Sequence, residues 1–290
     1  MSFLDRIAEC NTWNPDAFRW FVVDGCRVGR VRHALVPRLA DFPDTFEIDD
    51  DAVVLQPRFT TFAARSAAME RVLQALEADG IVQGRRGESY PVTRSFAEPP
   101  FLQIERAGIP HFGVRAFGVH MSGYVRRNDG IHMWIGRRAK DKHTYPGMLD
   151  NTVAGGQPIG ICLRDNLIKE CAEEASIPRT LAEQAKAVST LSYLNQSGPQ
   201  LKPDIMTCFD LELPEDFTPR PNDGEVHSFE LWPIRRVFET VRDTTEFKYN
   251  CNLVLIDFFV RHGLLSADDP QFMAIVSGLK KEYTPSNGIG

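Results

Sequence analysis

Three glutamates lie close together in one short segment of the chain: Glu170, Glu173 and Glu174. Their spacing of i, i+3 and i+4 places the three carboxylates on one face of a helix, which we expect from about Asp165 to Ala175. Adjacent carboxylates repel each other unless a cation lies between them, and hard oxygen ligands of this kind suit Mg²⁺ or Mn²⁺. The triplet therefore predicts a divalent metal site with all three glutamates as ligands.

On its own, an E-x-x-E-E pattern is most often a solvated acidic helix face. Here a glycine pair, Gly155 and Gly156, precedes the predicted helix. Glycine permits tight turns and a close approach of the backbone to a ligand. We expect Gly156 to contact the metal and Gly155 to contact the substrate.

The stretch from the glycine pair to Ile177 resembles the Nudix box, a glycine followed by an R-E-U-x-E-E-x-G-U helix, where U is aliphatic. The matched positions are Lys169 at the box arginine, Glu170 at its glutamate, Cys171 at the aliphatic position, Glu173 and Glu174 at the paired glutamates, and Ile177 at the last aliphatic position. The resemblance implies a metal-dependent diphosphate hydrolase with a Nudix α/β/α sandwich and a mixed sheet.

The match departs from the box in three ways. Ser176 replaces the box glycine, and Ile161 stands where an earlier glutamate is usual, nine residues before Glu170. The interval from the glycine pair to Glu170 is also one residue shorter than in the common box. The loop is altered while the helix is kept.

A wider part of the chain is similar to the Nudix subfamily related to thiamine pyrophosphokinase, which pairs a distinctive amino-terminal domain with a variant box. The segments that carry this likeness are Tyr145–Gly156, Asn166–Cys171, Phe209–Phe217, Asp223–Val226, Phe229–Pro233 and Asn250–Val254. The resemblance implies action on thiamine diphosphate and, preferentially, on its damaged oxo and oxy analogues, with release of the monophosphate.

Basic residues cluster just before the glycine lead-in, where charge-assisted hydrogen bonds could hold a diphosphate. Strand alternation sends Arg137 and Arg138 to opposite faces, whereas Arg138 and Lys140 share a side. We expect Arg138, Lys140, Lys142 and Tyr145 on the substrate side. The alternative is a solvated basic loop.

Two glutamates are candidates for the general base that takes a proton from the attacking water, Glu174 and Glu225. Glu225 follows a turn and begins a strand, so it could instead be an extra metal ligand or a surface residue. The predicted reaction is an in-line attack of metal-activated water on one phosphorus, without a covalent enzyme intermediate.

Three other functions are weighed against this one. An isoprenyl diphosphate isomerase would need a reactive cysteine before the glycine loop, where the sequence reads Thr152-Val153-Ala154. A nucleotide or nucleotide-sugar pyrophosphatase would use the same helix with a different pocket. A non-catalytic ligand sensor would account for Ile161 and Ser176, although the three retained glutamates argue against it.

The elements that must position these residues form two predicted units: an amino-terminal α/β domain, residues 1–111, and a Nudix domain with carboxy-terminal helices, residues 112–290. In the first, Met69, Val72, Leu73 and Leu76 follow a helical period between Thr60 and Asp79. Asp24-Gly25 indicates a hairpin turn. In the second, strands are expected at 112–127, 131–138, 188–195 and 205–213, and helices at 250–262 and 270–282, with Pro233 opening another helix.

Composition limits the function further. The 290 residues are 43% hydrophobic, enough for one large domain or two modest ones. The net charge of -6 argues against nucleic acid as a partner. The amino terminus does not read as a leader and no apolar run suits a membrane span, so we expect a cytoplasmic protein that acts on a small-molecule diphosphate, with a homodimer left open. The six cysteines show no zinc or disulfide spacing.

Overall fold

A computed structural model describes residues 2–142 and 144–281. The helices are α1 (Phe3–Glu9), α2 (Val36–Leu39), α3 (Phe62–Ala78), α4 (Leu163–Ala175), α5 (Arg179–Ala182), α6 (Ile234–Asp243), α7 (Cys251–Arg261) and α8 (Phe272–Gly278). The strands are β1 (Phe18–Val23), β2 (Cys26–Arg32), β3 (Phe46–Ile48), β4 (Ala52–Leu55), β5 (Ser89–Val92), β6 (Leu102–Glu105), β7 (Ala116–Arg127), β8 (Gly130–Arg138), β9 (Leu149–Asp150), β10 (Val153–Gly156), β11 (Lys186–Ser197), β12 (Gln200–Glu212) and β13 (Val226–Pro233). Across the described ranges, no helix is long and apolar enough to cross a membrane.

The central sheet has the strand order β11-β12-β7-β8-β13, with β10 paired to β7 and β9 to β8. Strand β12 runs parallel to β7, and the other pairs of this sheet are antiparallel. Side-chain alternation along β12 sends Phe209 and Leu211 into one core with α4, and Met206 and Cys208 into another with α7. The predicted α/β/α sandwich with a mixed sheet is confirmed.

The amino-terminal part has its own apolar core between α3 and a sheet of order β2-β1-β4-β3, extended by the hairpin β5–β6. Thr61 caps α3 by accepting a hydrogen bond from the backbone N–H of Ala64 at 3.2 Å. The four predicted apolar positions of α3 are buried. Asp24 and Gly25 both have positive φ, 53° and 71°, as a two-residue hairpin turn requires.

Helix α1 packs against the carboxy-terminal helices, not against the amino-terminal sheet. The ring of Phe3 lies 4.8 Å from that of Phe238 and 6.0 Å from that of Phe259. The first helix therefore joins the core of the second predicted unit, although it lies within residues 1–111. The boundary between 111 and 112 stays a prediction.

Some predicted element bounds differ from the observed ones. The strand expected from residue 112 begins at Ala116, because a 3-10 turn at Ile109–His111 precedes it. Pro233 ends β13 and occupies the N-cap position of α6, so the helix begins at Ile234, one residue later than predicted. The last helix ends at Gly278, and the predicted end at Glu282 lies outside the described residues.

Candidate active site

The glycine pair lies on β10, directly beside α4. A Cβ atom built on Gly155 would collide with the carboxyl group of Glu170, whose Oε1 would lie only 2.6 Å away. The carbonyl oxygen of Gly156 accepts a hydrogen bond from Nδ2 of Asn166 at 2.8 Å. The absence of a side chain on Gly155 thus lets the carboxylate face of α4 approach the backbone of β10.

The three glutamates of α4 differ in their surroundings. Glu174 is 7% exposed, and its Oε2 accepts the backbone N–H of Ala154 at 2.9 Å. Burial raises the pKa of Glu174 well above its usual range, against the effect of that hydrogen bond. Burial also raises the pKa of Glu170, with Lys169 acting in the opposite direction. Glu173 is exposed.

This donor set fits a divalent cation in its chemistry, since it offers carboxylate oxygens on one helix face next to the glycine backbone of β10. The ammonium group of Lys169 already lies between two of the carboxylates, 3.2 Å from Glu170 and 2.9 Å from Glu173. Within residues 2–142 and 144–281, no group of three His, Cys, Asp or Glu side chains stands ready-made around a metal position. The predicted ligands remain Glu170, Glu173, Glu174 and the backbone of Gly156.

Glu225 lies just before β13 and forms ion pairs with two cationic side chains. The ammonium of Lys142 is 2.5 Å from Oε2 and the guanidinium of Arg86 is 2.8 Å from Oε1. Burial acts to raise the pKa of Glu225, but the hydrogen bonds and charges of Lys142 and Arg86 outweigh it and hold that pKa below its usual range. Glu225 is therefore an ionised acceptor in this arrangement, and Lys142 is held by it.

Two of the predicted substrate-binding cations point elsewhere. The guanidinium of Arg138 donates to Asp150 at 2.8 Å and to the carbonyl oxygens of Thr144 and Tyr145 at 2.9 and 3.0 Å. Lys140 is exposed. Arg138, Lys140 and Lys142 all lie outside the lining of the cavity described next, so their contact with substrate stays a prediction.

A cavity of about 410 Å³ opens beside the glycine pair. Three predicted site residues line it: Tyr145, Gly155 and Gly156. The amino-terminal part contributes a second group of lining residues, which includes Arg86, Tyr90 and Arg106. A third group comes from the central sheet and from the segment just before α7: His120, Tyr193, Lys202, Asp204, Met206, Lys248, Tyr249 and Asn250.

Tyrosines surround a carboxylate in this cavity. The hydroxyl of Tyr193 donates to Asp204 at 2.6 Å. The ring of Tyr249 lies 5.7 Å from that of Tyr193 and 5.4 Å from that of Tyr145. Burial raises the pKa of Asp204, while the Tyr193 hydrogen bond and the charges of Lys202 and Lys248 act against that shift. This cluster offers aromatic faces and an acceptor within one pocket.

Most of these cavity residues were not predicted from the sequence. They come from several segments spread over residues 83–250, so no local spacing marks them. One signal was present on β12, where Lys202 and Asp204 share a strand face with the core residues Met206 and Cys208. A polar pair on an apolar strand face indicates a cavity or a buried network.

Comparison with known proteins gives two kinds of match. Residues 2–116 match a family described as a domain of unknown function, DUF4743. Nudix hydrolase 20, chloroplastic, of Arabidopsis thaliana is 40% identical over 289 residues, covering 96% of this chain and 77% of the relative. An uncharacterised protein of Saccharomyces cerevisiae is 30% identical, covering 89% of this chain and 81% of the relative.

Solved structures give more distant likenesses. The NUDIX domain of Shewanella oneidensis NrtR, complexed with ADP ribose, is 11% identical with a TM-score of 0.41, over 53% of this chain and 91% of that domain. DR0079 of Deinococcus radiodurans is 19% identical with a TM-score of 0.42, over 58% of this chain and 96% of that protein. By its 40% identity over nearly its full length, the chain belongs to the Nudix hydrolases, a family that hydrolyses diphosphate linkages and generally needs divalent metal ions.

Proposed function

We propose that the protein hydrolyses thiamine diphosphate or its oxo and oxy analogues to the monophosphate and phosphate, using Mg²⁺ or Mn²⁺ held by Glu170, Glu173 and Glu174. The observation that carries the proposal is a single cavity that is lined both by the glycine pair and by the tyrosine cluster around Asp204. The glycine pair lies beside Glu170, where we place the metal and the diphosphate, and the tyrosine cluster suits a planar ring.

The cavity fits one small molecule, because its volume of about 410 Å³ lies within the usual range for ligand pockets. Thiamine carries a positively charged thiazolium ring and an aminopyrimidine ring. Tyrosine faces attract a ring with positive charge, and a carboxylate accepts hydrogen bonds from an amino group. Tyr145, Tyr249 and Asp204 therefore match the organic half of this substrate.

The glutamates of the site have different roles in the proposed reaction. A bound divalent ion would polarise the diphosphate and lower the pKa of a bound water. Glu170 and Glu173 stay ionised as ligands. We place Glu174 first as the group that accepts the proton of the attacking water, because it lies buried beside the glycine strand, where its Oε2 meets the backbone N–H of Ala154. Glu225 is second, since Lys142 and Arg86 weaken it as a base.

The test is turnover of a diphosphate panel with Mg²⁺ or Mn²⁺: thiamine diphosphate, its oxo and oxy analogues, ADP-ribose, NADH and isopentenyl diphosphate. Glu174→Gln should lower kcat about 100-fold or more, as expected for loss of a general base. Glu239→Gln removes an exposed carboxylate of α6 and is the matched control.

Asp204→Asn tests the substrate separately from the reaction. It should lower kcat/KM for thiamine diphosphate about tenfold, the effect of one charge-assisted hydrogen bond, and leave ADP-ribose unaffected. If only the nucleotides were hydrolysed, the proposed reaction would stand and thiamine diphosphate would be rejected as the substrate. No turnover of any compound would favour the non-catalytic sensor.

A further inference from the structure

The amino-terminal part of the chain contacts the glycine loop directly. Ser89 on β5 accepts, through its carbonyl oxygen, the backbone N–H of Ile159 at 2.9 Å. One residue further along β5, the hydroxyl of Tyr90 lies against Gly156. Strand β5 therefore forms one wall of the cavity beside the predicted metal and phosphate position.

That wall carries a buried polar group that has no hydrogen-bond partner among the described residues. Tyr90 is 4% exposed, and its hydroxyl is buried without a hydrogen-bond partner among the described residues. A buried hydroxyl without a partner costs free energy, which a ligand oxygen would recover. The guanidinium of Arg106 lies 5.8 Å from the centre of the Tyr90 ring and is bound to Glu88 at 2.9 Å.

Arg86 is the cation of this wall that can change partner at the lowest cost. It shares Glu225 with Lys142, so that two positive groups neutralise one carboxylate. If Arg86 moved to an anionic ligand, Lys142 would still neutralise Glu225, and no carboxylate would be left unpaired. The side chain of Arg86 is 41% exposed, in contrast to the 10% of Lys142, and it lines the cavity.

We infer that the amino-terminal domain is part of the substrate site and that Arg86 binds the diphosphate of the substrate, together with the Tyr90 hydroxyl and Arg106. This inference rests on the proposed function because it takes a diphosphate as the ligand. Arginine suits this role, since its planar fork donates two hydrogen bonds to a phosphate group. Binding involves an exchange of Arg86 from Glu225 to a phosphate oxygen and breaks no covalent bond.

The experiment measures calorimetrically the binding of inorganic pyrophosphate to the full chain in EDTA, so that neither metal nor turnover is needed. Arg86→Gln should raise Kd tenfold or more, because it removes a charge-assisted hydrogen bond to the phosphate. Arg86→Lys should have a Kd between those of Arg86→Gln and wild type, because lysine keeps the positive charge but lacks the planar guanidinium group. Tyr90→Phe should raise Kd severalfold by removing only the hydroxyl.

Arg71→Gln is the matched control, since Arg71 is exposed on α3, does not line the cavity, and carries the same charge. It should leave Kd within about twofold, a change in binding free energy too small to indicate a lost contact. Equal Kd values for wild type, Arg86→Gln and Tyr90→Phe would overturn the inference, as would wild type that does not bind millimolar pyrophosphate. Either result leaves the proposed function standing if the metal-loaded enzyme still hydrolyses thiamine diphosphate.

Discussion

The hydroxyl oxygen of Tyr90 occupies the space that a side chain on Gly156 would need. The two residues are far apart in the chain, on β5 and at the end of β10. Gly156 is not among the residues with positive φ, so its backbone conformation alone does not demand glycine. Packing between the two parts of the protein, not turn geometry, requires glycine at this position.

Gly156→Ala should therefore lower the free energy of unfolding by about 1–3 kcal/mol, the usual cost of overpacking a filled site. Turnover should fall as well, because Tyr90 or β10 must shift beside Glu170. Guanidinium unfolding measures the first effect and a steady-state assay the second. In a Tyr90→Ala background the added methyl group has room, so the same change should cost less. If Gly156→Ala lowered the free energy of unfolding equally in both backgrounds, the contact with Tyr90 would not be the reason for glycine at this position.

Ser176 ends α4 with a φ of 52°, in the left-handed region, and its hydroxyl donates to the carbonyl oxygen of Arg220 at 2.9 Å. This conformation explains why a glycine suits the corresponding position of the box. Ser176→Gly should stabilise the protein by about 1 kcal/mol, less the lost hydrogen bond, since glycine adopts this conformation without strain. Ser176→Ala keeps the strain and loses the hydrogen bond, so it should destabilise. Thermal unfolding should therefore give a higher Tm for Ser176→Gly than for Ser176→Ala, since both variants lose the hydrogen bond and only the alanine variant keeps the strain.

The helical periods of α3 and α4 were predictable because each depends on neighbours three and four residues away. The same local logic identified Asp24-Gly25 as a turn and placed Glu170 and Glu174 on one helix face. It could not show that Arg138 is bound to Asp150, because that contact depends on how β8 and β9 pair.

The residues that form the cavity could not be predicted from local sequence patterns. Arg86 and Glu225 are 139 residues apart in sequence, and their ion pair forms only when the amino-terminal part packs onto the central sheet. Tyr193 and Asp204 meet across the antiparallel pair β11–β12, whose register is visible only in the structure. Residue types and spacing predicted the helix that carries the three glutamates, whereas the walls of the cavity depend on tertiary packing.

Mg²⁺ should stabilise the EDTA-treated protein, because a cation relieves the repulsion among the carboxylates of α4 and the burial cost of Glu170 and Glu174. Ligand linkage predicts about 2.7 kcal/mol at 100 times Kd, seen as a rise in Tm. Glu170→Gln should remove most of this rise, and Glu239→Gln, on the exposed face of α6, should retain it. A full Mg²⁺-dependent rise in Glu170→Gln would place the metal elsewhere.

Asp150 lies in a buried network that includes Lys248, one of the residues that line the cavity. Its Oδ2 is 2.8 Å from Arg138 and 4.0 Å from Lys248, and its Oδ1 accepts the thiol of Cys251 at 2.7 Å. Burial acts to raise the pKa of Asp150, but the charges of Lys248 and Arg138 and the thiol hydrogen bond outweigh it and lower that pKa to about 2. The ionised form is thus favoured in the folded state.

A carboxyl group with a depressed pKa adds stability above its usual value of 3.8, and this contribution is lost as the pH falls from there towards 2. Asp150→Asn should therefore destabilise the protein by about 3 kcal/mol at neutral pH, because it leaves buried cations without their partner. The difference from wild type should be the same at pH 7 and pH 5 and should shrink at pH 3, measured by urea unfolding in EDTA. Asp216→Asn, which changes an exposed carboxylate, should show no such difference at any pH. A destabilisation by Asp150→Asn that persists undiminished at pH 3 would mean that shape, not charge, is what Asp150 contributes.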